Sequence, residues 1–581
     1  MYMMKRMKRM KRKENGRRAC RGPLALCLAL LLALGVLGAC GGAGTVAQTT
    51  AAPATTAKAA ETTAAATTTA AATTTAAATT KAAETTAKAA ETTAAAAAGS
   101  DLPFVEFSWY VGLNPMPDNQ MVNDAVNEYI GPILNAKTNI YYWPSSEWES
   151  KMTVMVASGD DLGIIGFGTQ SKLDYVIQSQ RGSFYPLNDL LEEYGKGTKA
   201  LFSQTIWDST KINGNIYGIP SLKDNCYIIS LIYNEDMAND LGVDMSQANY
   251  KNFASIEPFF NMVMDLRDEK YGDLTEPLSG GLGLETPYWF ALETFLQDNN
   301  MAVCNIDGIM DIEGYDSNTV FNLYATKEYR EACKAMQRMV DRNILGYDYT
   351  GQTTWNPSGN MFAWPGWGYT YLPEHLFSDT FTTRMIPPVR VWTDTNNFIS
   401  AGTAISSNTK NPERLMMFLE MVNTDPFLAT MMRFGIEGQH YVRDANGRMT
   451  FEGSPRNSDT ANRGYHYWYA APLGNLLIVE APEAYSGPDG IMLKKIAEYN
   501  QSAKIPAHLG FVFNIEPVAN EIAACTSVVL EYRKELRQGQ LSSEAEVDQV
   551  IDEFLGKLEA NGVQIVLDEM QKQMDAWKAS R

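Results

Sequence analysis

Six aromatic residues, Trp355, Phe362, Trp364, Trp367, Tyr369 and Tyr371, crowd one stretch that glycines and prolines interrupt. Their spacing is too irregular for the apolar stripe of a helix, so the stretch reads as a loop surface. Flat rings in a concave wall can lie against the apolar C–H faces of a ring-shaped solute, while polar neighbours bond to its rim. That is binding chemistry.

Reaction chemistry is poorly represented. The four histidines, His375, His440, His466 and His508, stand in separate segments, and no His-Glu-x-x-His, Gly-x-Ser-x-Gly or Cys-x-x-Cys pattern occurs. Gly166-Phe167-Gly168 lacks the third glycine and the helix opening of a dinucleotide fingerprint. There is no phosphate loop of the Gly-x-x-x-x-Gly-Lys-Ser/Thr type. Asp160-Asp161, Glu192-Glu193 and Asp224 could supply the two carboxylates of a glycosidase, although solvated acids are the plainer reading in so acidic a chain. No catalytic residue, metal or cofactor is expected.

These residues have to be delivered and positioned. Ten lysines and arginines between Lys5 and Arg21 precede an apolar run, Leu24 to Leu37, which is the charge-then-apolar order of a secretory signal. The run is shorter than the roughly 20 residues that span a bilayer, so cleavage is expected rather than a permanent anchor. From Thr49 to Ala98 the chain is almost only alanine and threonine, and the unit Thr-Thr-Ala-Lys-Ala-Ala-Glu-Thr-Thr-Ala occurs at Thr55 and again at Thr85. Such composition has nothing large to bury and predicts a tether. Residues 1–39 hold ten basic side chains and one acid, so the remainder carries a net charge of −28, which would repel nucleic-acid phosphates. Cys226, Cys304, Cys333 and Cys525 are left in the body, and buried free thiols are expected.

The body, some 480 residues, suits two lobes better than one core. A β-rich run from Phe104 to Val111, a helical pattern through Val122, Val126 and Ile130, a strand near Asn139 to Trp143, a helix Trp148 to Ala157 ending at Ser158-Gly159 and a strand Leu162 to Phe167 alternate in the manner of a parallel sheet with helices on its faces. In such sheets ligands sit beyond the carboxyl ends of the strands, which singles out Tyr110, Asn114, Phe167 and Thr169. Helices are expected at 253–266, 288–296 and 327–340, strands at 385–391 and 398–405, and a helix opened by Asn411-Pro412-Glu413. Asn446-Gly447 predicts a type I′ hairpin, and the C-terminus reads as helical from about Pro517.

Several of these stretches together resemble the extracellular solute-binding proteins, family-1 type, of ATP-binding-cassette importers, in the maltose-binding-like superfamily. They are Met155 to Phe167, Lys211-Ile-Asn-Gly-Asn-Ile-Tyr-Gly-Ile-Pro220, Asn411 to Asp425, Phe434 to Tyr441, and the tail from Gly510 to Trp577. The last two resemble a Gram-positive lipoprotein subfamily, and Leu37-Gly38-Ala39-Cys40 resembles the lipobox, in which the cysteine is acylated and becomes the first mature residue. The resemblance implies an α/β, type II two-lobed fold, each lobe a mostly parallel sheet flanked by helices. It implies a first lobe of residues 101–225 and 393–435 and a second of 226–392 and 436–581, after a signal peptide at 1–39 and a lipidated tether at 40–100. Trp364 and Trp367 would line the cleft, Asp224 would follow the crossing and accept hydroxyl protons, and Trp289 would open a helix of the second lobe. The cluster Tyr465 to Tyr469 is cleft-capable but reads as core or rim.

The function implied is capture of a small polar solute, a mono- or oligosaccharide, by hinge closure, and its delivery to membrane permease subunits by a lipid-anchored monomer on the outer face of the membrane. No nucleic-acid partner is expected. Other classes left open are a surface-anchored carbohydrate-processing enzyme and a ligand-binding sensor or adhesin.

Overall fold

The computed structural model describes residues 102–168, 173–270, 278, 289–296, 299–310, 312–345, 362–367, 382–386 and 390–581. The chain divides into two units, Met1–Glu84 and Thr85–Arg581, and every described residue belongs to the second.

The first lobe is built on a five-stranded sheet in the order β2-β1-β3-β11-β4. Its strands are β1 (Val105–Val111), β2 (Ala136–Tyr142), β3 (Ile164–Gly168), β4 (Ile219–Pro220) and β11 (Ala401–Ile405). The first three run parallel, and β11 pairs antiparallel with both β3 and β4. Successive side chains of a strand point to opposite faces, so Trp109 and Ile164 enter one core while Ile165 and Phe167 enter the other. The helices Asn119–Leu134 and Pro412–Thr424 supply the first core, and Ser145–Ser158 covers the second through Trp148 and Met152. Gly159, at φ 78°, ends that helix in the left-handed conformation a glycine adopts freely.

The second lobe contains β5 (Tyr227–Asn234), β6 (Leu292–Thr294) with β7 (Val303–Asn305), and β8 (Ala363–Trp367), β9 (Thr383–Ile386) and β10 (Val391–Trp392). Strand β5 pairs antiparallel with β8, β9 and β10. The expected two-lobed α/β architecture is the one observed, but the mostly parallel sheet expected in each lobe is corrected here: the described strand pairings of this lobe are antiparallel. The helices Glu257–Lys270 and Lys327–Asp341 share one apolar core with the C-terminal helices Ala519–Gln538, Glu544–Ala560 and Val563–Ala579. The helical tail and the helix opened at Pro412 match expectation, as do the four cysteines, which are free and buried.

Three further expectations are corrected. The helix expected over 288–296 is absent from its described part, 289–296; within it Leu292–Thr294 pairs with Val303–Asn305, and the unbroken burial of Trp289 to Leu292 erased the periodicity that separates helix from strand. Strands β12 (Val442–Arg443) and β13 (Met449–Thr450) form the expected hairpin, but only Gly447 of the Asn446-Gly447 pair has positive φ, so the turn is not type I′. The Asp444 carboxylate organises it instead, accepting from the N–H groups of Asn446 and Arg448. Residues 436–479, expected in the second lobe, pack on the first: the Tyr465 hydroxyl donates to the Met432 carbonyl, and Tyr441, Phe451 and Val479 cluster with Ala429 and Phe434 of the helix Pro426–Phe434.

The ring of Phe167 fills a slot that two glycines leave open. A Cβ at Gly402 would come within 2.4 Å of the ring and 2.3 Å of the Ile219 carbonyl oxygen, and one at Gly218 within 2.3 Å of the ring. Gly402→Ala is expected to lower the unfolding free energy by about 1–3 kcal/mol through overpacking, measured as a drop in the urea midpoint at unchanged m-value.

Candidate functional site

The chain passes between the lobes three times, at 221–226, 393–400 and 477–510, and the passages meet at the edge of the first sheet where β4 ends and β11 begins. Backbone bonds satisfy some of their peptide groups, the Ser221 N–H on the Ala401 carbonyl and the Thr393 N–H on the Lys504 carbonyl at 3.0 Å each, and side chains satisfy others. Asn225 donates from Nδ2 to the Ser221 and Asn397 carbonyls at 3.1 and 2.9 Å, and its own N–H donates to Asn500 Oδ1 at 2.9 Å. Asn500 also accepts from the Cys226 thiol at 3.3 Å and donates to the Lys223 carbonyl at 2.6 Å. Thr393 adds a bond to the Asn225 carbonyl at 2.7 Å.

On the first-lobe side of this knot, Leu222 accepts from the Leu476 N–H and Ser221 donates to the Ala471 carbonyl. Lys223 and Asp224 therefore sit at the pivot, between a segment tied to the first lobe and one tied to Asn500. The Asp224 carboxylate is bonded by Lys223 Nζ at 2.9 Å and by the Tyr469 hydroxyl, and Lys223 Nζ lies 5.7 Å from the centre of the Tyr469 ring. Asp224 is 8% exposed, whereas Lys223 and Tyr469 are half-buried. An ammonium, a phenol and a carboxylate in contact form a mixed donor and acceptor set suited to hydroxyl groups.

A second, fully enclosed cluster lies behind the knot. The Asp394 carboxylate accepts from the Tyr227 hydroxyl at 3.0 Å and from the Asn397 backbone at 3.0 Å. Burial pushes its pKa up to about 6, the field of Glu293 adding in the same direction. Glu293, in β6, contacts His508 Nδ1 at 3.0 Å, and burial pushes the Glu293 carboxyl up against that stabilising contact. Burial likewise pushes the Cys226 thiol up, so it is a hydrogen-bond donor here. Among the described residues no group of three or more His, Cys, Asp or Glu could hold a metal ion.

Of the expected site residues, the structure brings Asp224 into this arrangement. Asn114 is exposed, and its carbonyl accepts from the Tyr467 hydroxyl at 2.7 Å. Tyr110 lies on the other face of β1, stacked on Tyr141 at 4.9 Å and tilted against Trp143 at 5.5 Å. Phe167 is corrected: at 2% exposed and enclosed by Gly218, Gly402 and Tyr175, its ring is core packing. Trp289 is corrected too, being 2% exposed and set edge-on to Phe253 at 5.0 Å. Backbone register in β8 places Trp364 beside Ile232 and Trp367 beside Ile229. Their side chains, and Cys40 and Thr169 entirely, lie outside the described residues.

Sequence reasoning missed Lys223, Asn225 and Asn500. The Lys-Asp pair two residues beyond Gly218-Ile219-Pro220 was a usable signal; an asparagine near the end of the amphipathic helix Ile491–Ser502 gave none.

Comparison with known proteins finds this two-lobed fold in solute-binding proteins. Residues 507–579 match a family described as a domain of unknown function, DUF3502. The chain is 24% identical over 495 residues to a carbohydrate ABC transporter substrate-binding protein of Streptococcus pneumoniae serotype 4, covering 83% of this chain and 92% of that one. The N-glycan transport solute-binding protein NgtS of Streptococcus pneumoniae superposes with a TM-score of 0.68 at 21% identity, covering 82% of this chain and 99% of its own. NgtS in complex with Man1GlcNAc superposes less well, with a TM-score of 0.60 at 20% identity over 81% of this chain and 99% of its own. The fold of this chain is thus that of the proteins its sequence resembles.

Raising a folded-state pKa above the unfolded value means the native protein holds the proton more tightly. The Asp394 contribution to stability is therefore complete below about pH 4 and is lost as pH rises through 6. Between those limits this carboxyl lowers the unfolding free energy by about 3 kcal/mol. Asp394→Asn is expected to flatten that slope, read from denaturant titrations at pH 4, 5, 6 and 7.

Proposed function

We propose that this chain is the substrate-binding component of a carbohydrate ABC importer. It captures an oligosaccharide between its lobes, closes about the pivot, and presents the closed form to permease subunits while another subunit hydrolyses ATP. The observation that carries this reading is the Lys223–Asp224–Tyr469 set at the pivot of two lobes joined by three hydrogen-bonded passages. A solute bonded there contacts the hinge itself, so binding can be coupled to closure. The relatives' names support a sugar as the solute.

Trp364 and Trp367 complete the proposed site as stacking plates, with Tyr110, Asn114 and Thr169 as outer contacts. Cys40 is the proposed lipid attachment, which places a monomeric body, on its Ala/Thr tether, at the outer face of the membrane. Two acyl chains hold a protein at a bilayer where one holds it only marginally. Metabolic labelling with palmitate is expected to mark the wild type and to be lost in Cys40→Ala; equal labelling of both would remove the anchor.

Titration calorimetry of residues 101–581 against Man1GlcNAc, further mono- and oligosaccharides, and peptide controls tests the solute. Saturable sugar binding without product formation is expected, and reproducible turnover would replace the binding reading with an enzymatic one. Asp224→Asn should weaken the bound sugar by roughly 10- to 100-fold, the range for losing a hydrogen bond to a charged group.

A further inference from the structure

Arg433 stands near the end of the helix Pro426–Phe434, and its side chain is buried, 1% exposed. Its guanidinium grips one loop from inside. Nη1 donates to the carbonyl oxygens of Ala470 at 2.8 Å and Trp468 at 3.4 Å, and Nη2 to those of Gly474 at 3.0 Å and Leu473 at 3.2 Å. The ionisable groups within its field are Tyr465 and Tyr469, neither a carboxylate. Burial pushes its pKa down to about 10, which still leaves it charged at neutral pH.

A buried cation without a counter-ion is costly, and an apolar side chain of similar volume would often serve stability as well. What the guanidinium fixes gives the reason for it. Trp468 and Ala470 are the residues on either side of Tyr469, so both peptide neighbours of that tyrosine are held. The loop is pinned again at Ala471, whose carbonyl accepts from Ser221, and at Tyr467, whose N–H donates to the Arg433 carbonyl at 2.8 Å. Tyr469 itself is left to donate its hydroxyl to Asp224.

We infer that Arg433 is a positioning residue for the interlobe site: it holds the 468–474 loop so that Tyr469 meets Asp224 before any solute arrives. The inference rests on the sugar-binding reading of Asp224 and Tyr469. Its benefit is preorganisation, because a loop already ordered loses less freedom when the ligand binds.

The test places 3-fluorotyrosine at position 469 and reads its fluorine resonance in the ligand-free protein. One narrow line is expected in the wild type, and split or broadened lines in Arg433→Lys, which keeps the charge but cannot span four carbonyls, and in Arg433→Gln. The Kd for Man1GlcNAc should rise at least tenfold in R433K through faster dissociation, and Tyr469→Phe in that background should add less than a further twofold. A broad wild-type resonance would overturn the inference without any variant having to fold. So would a folded R433K with lowered Tm but wild-type resonance and Kd, since Arg433 would then serve the fold alone. If the wild type binds no sugar while R433K still disturbs the fluorine line, the positioning role stands and the sugar reading falls.

Discussion

Peptide groups that leave a sheet must still be hydrogen-bonded, and at the junction of the lobes two asparagines join backbone bonds in meeting this demand. Asn225 and Asn500 together join all three passages: one carboxamide reaches Ser221 and Asn397, the other takes the N–H of Asn225 and the thiol of Cys226 and returns a bond to the Lys223 carbonyl. A carboxamide carries both donor and acceptor, so it can bridge strands whose spacing does not match a ladder. Continuous strands in the same place would pair stiffly and oppose rotation of one lobe on the other. Side-chain bridges satisfy part of the backbone while leaving Lys223 and Asp224 free of ladder bonds where the passages meet.

Several buried ionisable groups stand beside the same junction. Asp394, Glu293 and His508 are enclosed just behind it, and each is bonded by a neighbour from another part of the chain. A carboxylate in that position is penalised by burial, which is why Asp394 and Glu293 both keep their protons to higher pH than they would in water. Arg433 on the first-lobe side solves the complementary problem with four carbonyls. Polar burial is not confined to the passages: Asp118 with His440, Gln337 and Arg414 are buried elsewhere among the described residues.

How much of this the residues announced depends on periodicity. Strand β1 was legible because Val105, Phe107, Trp109 and Val111 alternate with less buried neighbours, and the helix at Pro412 because proline suits a first turn. The segment Trp289 to Leu292 was not, since residues buried on every side carry no phase. Phe167 shows a different failure: it does stand near the end of a strand, but the glycines that would receive its ring, Gly218 and Gly402, lie about 50 and 235 residues further on, and only the fold brings them together. The place of Asp224 just past the crossing was legible because its distance from Pro220 is local. Its partner Tyr469 lies 245 residues away, and nothing in the spacing of the Tyr465 to Tyr469 cluster says which ring faces the pivot.

The C-terminal helices bear on what a lobe is in this chain. Residues 507–579 match a single family description, yet they do not form a core of their own: Phe554 packs on Tyr324 at 5.1 Å, Arg330 bonds Asp548 and Asp552, and Val529, Ile551 and Met570 share the apolar interior of the second lobe. The segment begins at the junction, with His508 on Glu293, and its last helix returns there, Trp577 lying 6.4 Å from His508 and 5.9 Å from Phe511. Apolar area shared between a tail and a lobe cannot be removed from one without exposing the other. The tail is therefore better understood as the outer half of the second lobe than as an appended domain, and its return to His508 ties its last helix to the junction of the passages.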